Sequence, residues 1–287
     1  HPSQAPYLVA RAFQEMQSGR PGPVALEMPW EQFAAQSEVT SQDPLPLAPN
    51  PTPDPAKIEA LAKAIDAAAN PMIWVGGGAQ NAGAAIQAFA ERTGAPVVSF
   101  RTGRGVVSDN HPQSMTIAAA YKLWPQTDLI VAFGTRLEVP TMRWGKLPAG
   151  LKLARIDIDP AEMRRLQVDI GIVADSADAV NALTPLVANK ASAAKAAAIS
   201  AAKAAALEEI QSVQPQMSFL NVIREEMPAN GILCDEMTQA GYVSWFGFPI
   251  YEPRSLVTSG FSGTLGAGFP TDRKSTRLNS SHTDISR

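Results

Sequence analysis

Four glycines, Gly260, Gly263, Gly266 and Gly268, fall in the segment Thr258–Pro270, directly after the β-branched run Leu256-Val257-Thr258. Glycine at this density lets a main chain take positive φ or approach another group closely, so the loop suits a ligand laid against backbone. A second group, Asp235-Glu236-Met237-Thr238-Gln239, lies at the end of the strand-like run 232–235 and offers two carboxylates and a hydroxyl that can move a proton or hold a phosphate. Arg101-Thr102-Gly103-Arg104-Gly105 and Gly134-Thr135-Arg136 follow two further apolar runs. Their arginines either hold an anion or solvate loop ends, and both readings stay open. Trp74-Val75-Gly76-Gly77-Gly78-Ala79-Gln80-Asn81 approaches the dinucleotide fingerprint. Asn81 stands at the third glycine, however, and the next strand ends in Phe100-Arg101 rather than an acid. A tight strand-to-helix turn is the simpler reading, with a nucleotide phosphate at the following helix as the alternative. His111 and Asp109, beside Pro112, read as turn residues.

The elements that must carry these groups follow from periodicity. Leu8, Val9, Ala12, Phe13 and Met16 repeat at helical spacing, predicting a helix over 2–17, and Val24–Met28 then reads as a strand. A proline-dense stretch around 41–54 reads as a linker. From Pro55 helix and strand alternate: helices over 56–69, 82–93 and 177–187, and strands over 72–75, 96–100, 129–133, 153–158 and 170–173, with Asp175 as an N-cap. Strands joined through helices predict an α/β fold with a parallel, doubly wound sheet, complete within 55–188. The Ala-rich stretch 189–214 predicts a helical connector whose thin apolar face, Ile199, Leu207 and Ile210, packs weakly. A further α/β unit begins near 215, with a helix over 218–227 and strands over 232–235 and 255–258.

Composition narrows the function classes. Of 287 residues, 45% are hydrophobic and 18% charged, and the net charge of −3 comes with dispersed Lys and Arg, which argues against nucleic-acid binding. No apolar run has the length of a membrane span. One cysteine, Cys234, excludes an internal disulfide and fits a reducing cytoplasm, and three scattered histidines give no metal site. The motifs of P-loops, serine-hydrolase elbows and zincins are absent. His1 opens the chain without a Met, so the start reads as internal or processed.

Arg20-Pro21-Gly22-Pro23-Val24, Gly76-Gly77-Gly78-Ala79, Ile156-Asp157-Ile158-Asp159-Pro160 and Thr258–Pro270 occur in one order along residues 1–271. That order resembles the thiamine-diphosphate enzymes of the acetolactate synthase and benzoylformate decarboxylase type. The resemblance implies the end of a pyrimidine-binding domain at 1–40, a central domain at 55–188 and the beginning of a diphosphate-binding domain at 215–271. It implies thiamine diphosphate and Mg²⁺ as cofactors, a small 2-oxo acid as substrate for decarboxylation or carboligation, and a homodimeric or homotetrameric parent enzyme. Some members of the family carry FAD on the central domain. By the same resemblance Leu265 is the bulky prop beneath the cofactor, Gly263 and Thr264 receive the aminopyrimidine, and Thr238 and Gln239 contact the diphosphate. Glu236-Met237-Thr238-Gln239 is closer to the broader decarboxylase group than to acetolactate synthase.

The family's catalytic glutamate is expected upstream of His1 and its Mg²⁺-carrying segment beyond 271. The chain is therefore read as an inactive fragment with no catalytic or metal residues of its own and no tight cofactor binding. Asp272–His282 resembles a translated sequencing adapter, and 272–287 is set aside from fold reasoning. The alternative function is a stand-alone FAD- or nicotinamide-binding module formed by 55–188.

Overall fold

The computed structural model describes residues 1–260 and 262–271; the adapter-like tail lies outside the described residues. Helix α1 (Ala5–Gln17) opens the chain. Helix α2 (Pro55–Ala67) is N-capped by Asp54, which accepts from Ala56 N–H, and has Pro at its first position. Strand β1 (Pro71–Val75), α3 (Gly83–Thr93), β2 (Val97–Ser99), β3 (Ser114–Met115), α4 (Ile117–Leu123), β4 (Leu129–Phe133), β5 (Lys152–Asp157), β6 (Ile170–Val173) and α5 (Ser176–Leu183) follow. The last group comprises α6 (Ala193–Gln211), α7 (Gln216–Glu226), β7 (Leu233–Cys234), α8 (Gln239–Gly247) and β8 (Leu256–Val257).

The main sheet runs β3-β2-β1-β4-β5-β6, every pair parallel. The chain builds outward from β1 in one direction and then returns to lay β4 on its other side. The carboxyl ends of β1 and β4 therefore form the topological switch point. Side chains alternate across the sheet. Ile73, Val75, Leu129, Val131 and Phe133 face a core with Leu61, Ile65, Ile86, Phe89 and Leu183 of α2, α3 and α5. Met72, Trp74, Ile130 and Ala132 face the other side, against Ile117, Trp124 and Leu153. Each of these large side chains contributes about 1.5–3 kcal/mol by leaving water, which fixes strand register on both faces. Asp175 caps α5 through Ala177 and Asp178 N–H, as its spacing predicts.

Three expectations change. Val24–Met28 is not a strand: Val24, Leu26 and Met28 stand exposed, and no described segment pairs with them. A strand needs a ladder partner for its N–H and C=O groups, which an apolar pattern alone does not supply. Helix α6 is not a weakly packed connector. It buries Ile199, Ala202 and Ala206 against Met115 and Ala119, because alanines let it approach α4 closely, while Leu207 stays exposed. The two-residue edge strand β3 and helices α4 and α8 are absent from the sequence reading: β3 and α4 are short, and in α8 two of the three buried positions are Gly241 and Ser244 while Tyr242 stands exposed, so no apolar period shows.

Candidate functional site

Two places gather the chemistry-bearing residues. The first is a cleft of about 1030 Å³ at the carboxyl ends of the main sheet. Gly76, Gly77 and Gly78 line it after β1, Gly134–Glu138 after β4, and Asp157 and Ile158 after β5. The two glycine turns touch through their backbones: a Cβ on Gly76 would lie 2.3 Å from Gly134 O, and one on Gly78 would lie 2.8 Å from Gly134 Cα. The first glycine run therefore forms the tight turn expected of it, pressed against the second.

Arginines rim this cleft in different ways. Arg101, at φ +48°, lays its guanidinium over the rings of Phe100 and Trp245. Arg136 pairs with Glu162 at 3.0 Å, and Arg20 from the Arg20-Pro21-Gly22-Pro23 motif reaches the same carboxylate at 2.7 Å. Arg165 adds a third contact at 2.9 Å, and Arg155 donates to the Glu162 carbonyl oxygen. Burial pushes the Glu162 carboxyl up, but Arg136, Arg165 and Arg20 more than offset it and hold the group below its ordinary range. Burial pushes Asp157 up, opposed by the Asp159 N–H and by Arg155. Arg104 faces neither the cleft nor solvent. It is 1% exposed and donates to Trp245 O, to Phe248 O at 2.8 Å and to the Asp109 carboxylate. Asp109 is thus more than a turn residue, because its Oδ2 also accepts from Ile250 N–H at 2.8 Å.

The second place is the small sheet formed by β7 and β8. Their parallel register, Leu233↔Leu256 and Cys234↔Val257, sets the segment 235–239 beside the start of the loop 258–268. Asp235 is buried, and its Oδ2 accepts from Trp245 Nε1; burial pushes its carboxyl up against the pull of that bond and one from Thr258. Thr238 caps α8 by accepting from Gly241 N–H at 3.1 Å, which leaves its own O–H free to donate elsewhere. Gln239 opens that helix and accepts from Gln216 at 2.6 Å. Glu236 accepts from Gly268 N–H at 2.8 Å. Thr238, Gln239, Gly263, Thr264 and Leu265 are all exposed, Leu265 to 77%, and none lines the large cleft. Gly263 takes φ +63° with open space where a side chain would stand. Among the described residues no group of His, Cys, Asp and Glu is arranged to hold a metal ion, and no helix is long and apolar enough to cross a membrane.

One likeness lies in the main sheet, and a relative 31% identical over 94% of the chain extends it to nearly the whole length. Residues 58–183 match the thiamine pyrophosphate enzyme central domain. The chain belongs to the thiamine pyrophosphate enzyme family. Among its relatives are the probable 2-ketoarginine decarboxylase AruI of Pseudomonas aeruginosa, 31% identical over 94% of this chain and 50% of that protein. Another is the acetolactate synthase isozyme 1 large subunit of Escherichia coli, 26% identical over the same shares. The benzoylformate decarboxylase structure from Polynucleobacter necessarius superposes with a TM-score of 0.72 at 23% identity, covering 96% of this chain and 54% of that one, and so shares its fold. The chain thus spans about half the length of the curated relatives it matches.

The sequence reading passed over Glu162, Arg254 and Trp245. Arg254, at φ +62°, lines the cleft and donates to Asn81 Oδ1 at 2.7 Å, tying the segment before β8 to the first glycine turn. Each of the three has a partner far away in the chain, Arg20 for Glu162, Asn81 for Arg254 and Arg104 for Trp245, which no local spacing marks.

Proposed function

We propose that the chain is the central and cofactor-shelf part of a thiamine-diphosphate- and Mg²⁺-dependent 2-oxo acid decarboxylase or carboligase acting in the cytoplasm as a homo-oligomer. The observation that carries this reading is the β7–β8 register, which brings 235–239 and the glycine-rich loop to one end of the small sheet. The residues present fit the group. Leu265 projects from an open loop, the loop backbone at Gly263 has unfilled space above it, and α8 presents its positive end behind Thr238. Gly263 and Thr264 would receive the aminopyrimidine, Leu265 would prop it, and the Thr238 O–H and Gln239 would hold the diphosphate. When bound, thiamine diphosphate supplies the electron sink for losing carbon dioxide from a 2-oxo acid. The chain's own part is to orient the cofactor and exclude water beneath it. We read 1–40, 55–188 and 215–271 as parts of three domains joined by 41–54 and 189–214.

The test is an amide NMR titration of the 287-residue chain with thiamine diphosphate and Mg²⁺, using thiamine as control. Shifts are expected at Thr238, Gln239, Gly263 and Leu265, reduced in Thr238→Ala. Shifts confined to other regions, or none at all, refute the reading. A second reading, an FAD or nicotinamide site, is favoured by the large cleft at the switch point with its paired glycine turns. A flavin spectrum on the purified chain supports FAD there.

A further inference from the structure

We propose that Glu236 is the positioning residue of the cofactor shelf, a carboxylate that clamps the glycine-rich loop to the end of β7 and so determines where Leu265 stands. The role assigned to Leu265 rests on the thiamine-diphosphate reading above; the clamp itself rests on geometry. Glu236 Oε2 accepts from Gly268 N–H at 2.8 Å, and Oε1 accepts from Met237 N–H at 2.8 Å. Both oxygens are therefore committed to backbone donors from two different segments. Gly268 is seated on the same strand end: a Cβ there would lie 2.8 Å from Asp235 O and 3.1 Å from the Glu236 Cβ. Gly241 is packed just as closely, with a Cβ position 1.9 Å from Glu236 O, so the helix carrying Thr238 and Gln239 meets the same residue through its first turn. Glu236 thus stands between the two segments that the shelf requires, and touches both. Elsewhere the loop is held by its own groups, Gly263 N–H donating to Ser259 O at 2.8 Å and the Ser259 hydroxyl to Thr264 O at 3.2 Å, and nothing lies within 4 Å of the Cβ positions of Gly263 and Gly266. The ionised form is the one these N–H groups favour, and bonds from Met237, Gly268 and Gly266 hold the carboxyl below its ordinary range. The charged group beside it is Asp235, which in turn faces Arg101.

Charge-assisted bonds of this kind are about twice as strong as neutral ones. A glutamine presents one acceptor and one donor, so Glu236→Gln cannot serve both N–H groups. Glu236→Ala removes both bonds. In the full chain, hydrogen exchange of the Gly268 amide is expected to accelerate roughly tenfold or more in both variants, with β1 and β4 protection unchanged. Thiamine-diphosphate affinity is expected to fall by a similar factor, since the loop must then be ordered on binding. Glu236→Asp keeps the charge but shortens the reach, and is expected to fall between wild type and Glu236→Ala. In the wild type, the Gly268 amide proton shift follows Glu236 ionisation, and this response disappears in Glu236→Gln, a signature that general loosening does not produce. Gly268 exchange within twofold of wild type in Glu236→Ala overturns the clamp. Lost protection with unchanged thiamine-diphosphate affinity overturns the positioning role. A wild-type chain that binds no thiamine diphosphate overturns the cofactor reading instead, and the Gly268 amide still decides the clamp.

Discussion

Replacing Arg104 removes the best-buried polar link between the large sheet and the segment around α8. The guanidinium, 1% exposed, serves two backbone carbonyls, Trp245 O and Phe248 O, and the Asp109 carboxylate, whose side chain is 13% exposed. Arg104→Met conserves much of the volume but leaves all three acceptors short of a donor. An unsatisfied buried acceptor costs about 1–3 kcal/mol, and stripping one partner from a buried ion pair costs about 3–5 kcal/mol. Asp109 retains Ile250 N–H and the Ser114 hydroxyl, which places the expected loss near the lower end, roughly 3 kcal/mol. Arg104→Lys keeps a charge but presents a compact ammonium in place of a planar fork, so it restores only part of that loss. The assay is urea unfolding followed by tryptophan fluorescence and far-UV circular dichroism, with coincidence of the two probes checked. A cycle with Asp109→Asn isolates the pair, and a coupling of about 1 kcal/mol or more is expected. If Arg104→Met unfolds within about 0.5 kcal/mol of wild type, surface-like behaviour is established and the clamp between the two parts is refuted.

Two further outcomes test the cleft. Gly76→Ala places a Cβ 2.3 Å from Gly134 O and 2.7 Å from the Thr135 Cβ, so a loss of about 1–3 kcal/mol is expected in thermal unfolding, whereas Gly22→Ala, with open space and no positive φ, meets no such contact. Glu162→Gln leaves Arg20, Arg136 and Arg165 facing a neutral amide; because Arg20 and Arg165 are about half exposed and water can serve them, the expected cost near neutral pH is about 1–2 kcal/mol. Because Glu162 has a lowered folded-state pKa, its contribution is present above the ordinary carboxylate range and is lost as pH falls through the lowered value. Stability curves of wild type and Glu162→Gln therefore converge in acid; parallel curves across that range count against the ion-pair account.

Much of the main sheet was legible because its signals are local. β1 and β4 are continuous apolar runs followed by glycine, Asp175 stands where a helix needs a cap, and the alternation of elements constrains strands to run parallel. Val24–Met28 shows the limit of such signals, since apolar residues become a strand only where a ladder receives them. The shelf was legible only as a glycine pattern, its residues assigned through resemblance rather than spacing.

Sequence alone determined the α/β alternation, the positions of the two glycine turns and the segments that follow β7 and β8. These depend on side-chain period, on caps and on backbone freedom, all properties of neighbours in the chain. Tertiary structure decided that Arg104 is buried while Arg101 lies over aromatic rings, that Arg20 and Arg136 share Glu162, and that Glu236 reaches Gly268. Each of those residues draws on a partner between 26 and 144 residues away, even where a near neighbour such as Asp109 or Phe100 also contributes, and no local pattern specifies which distant partner folding will bring into contact.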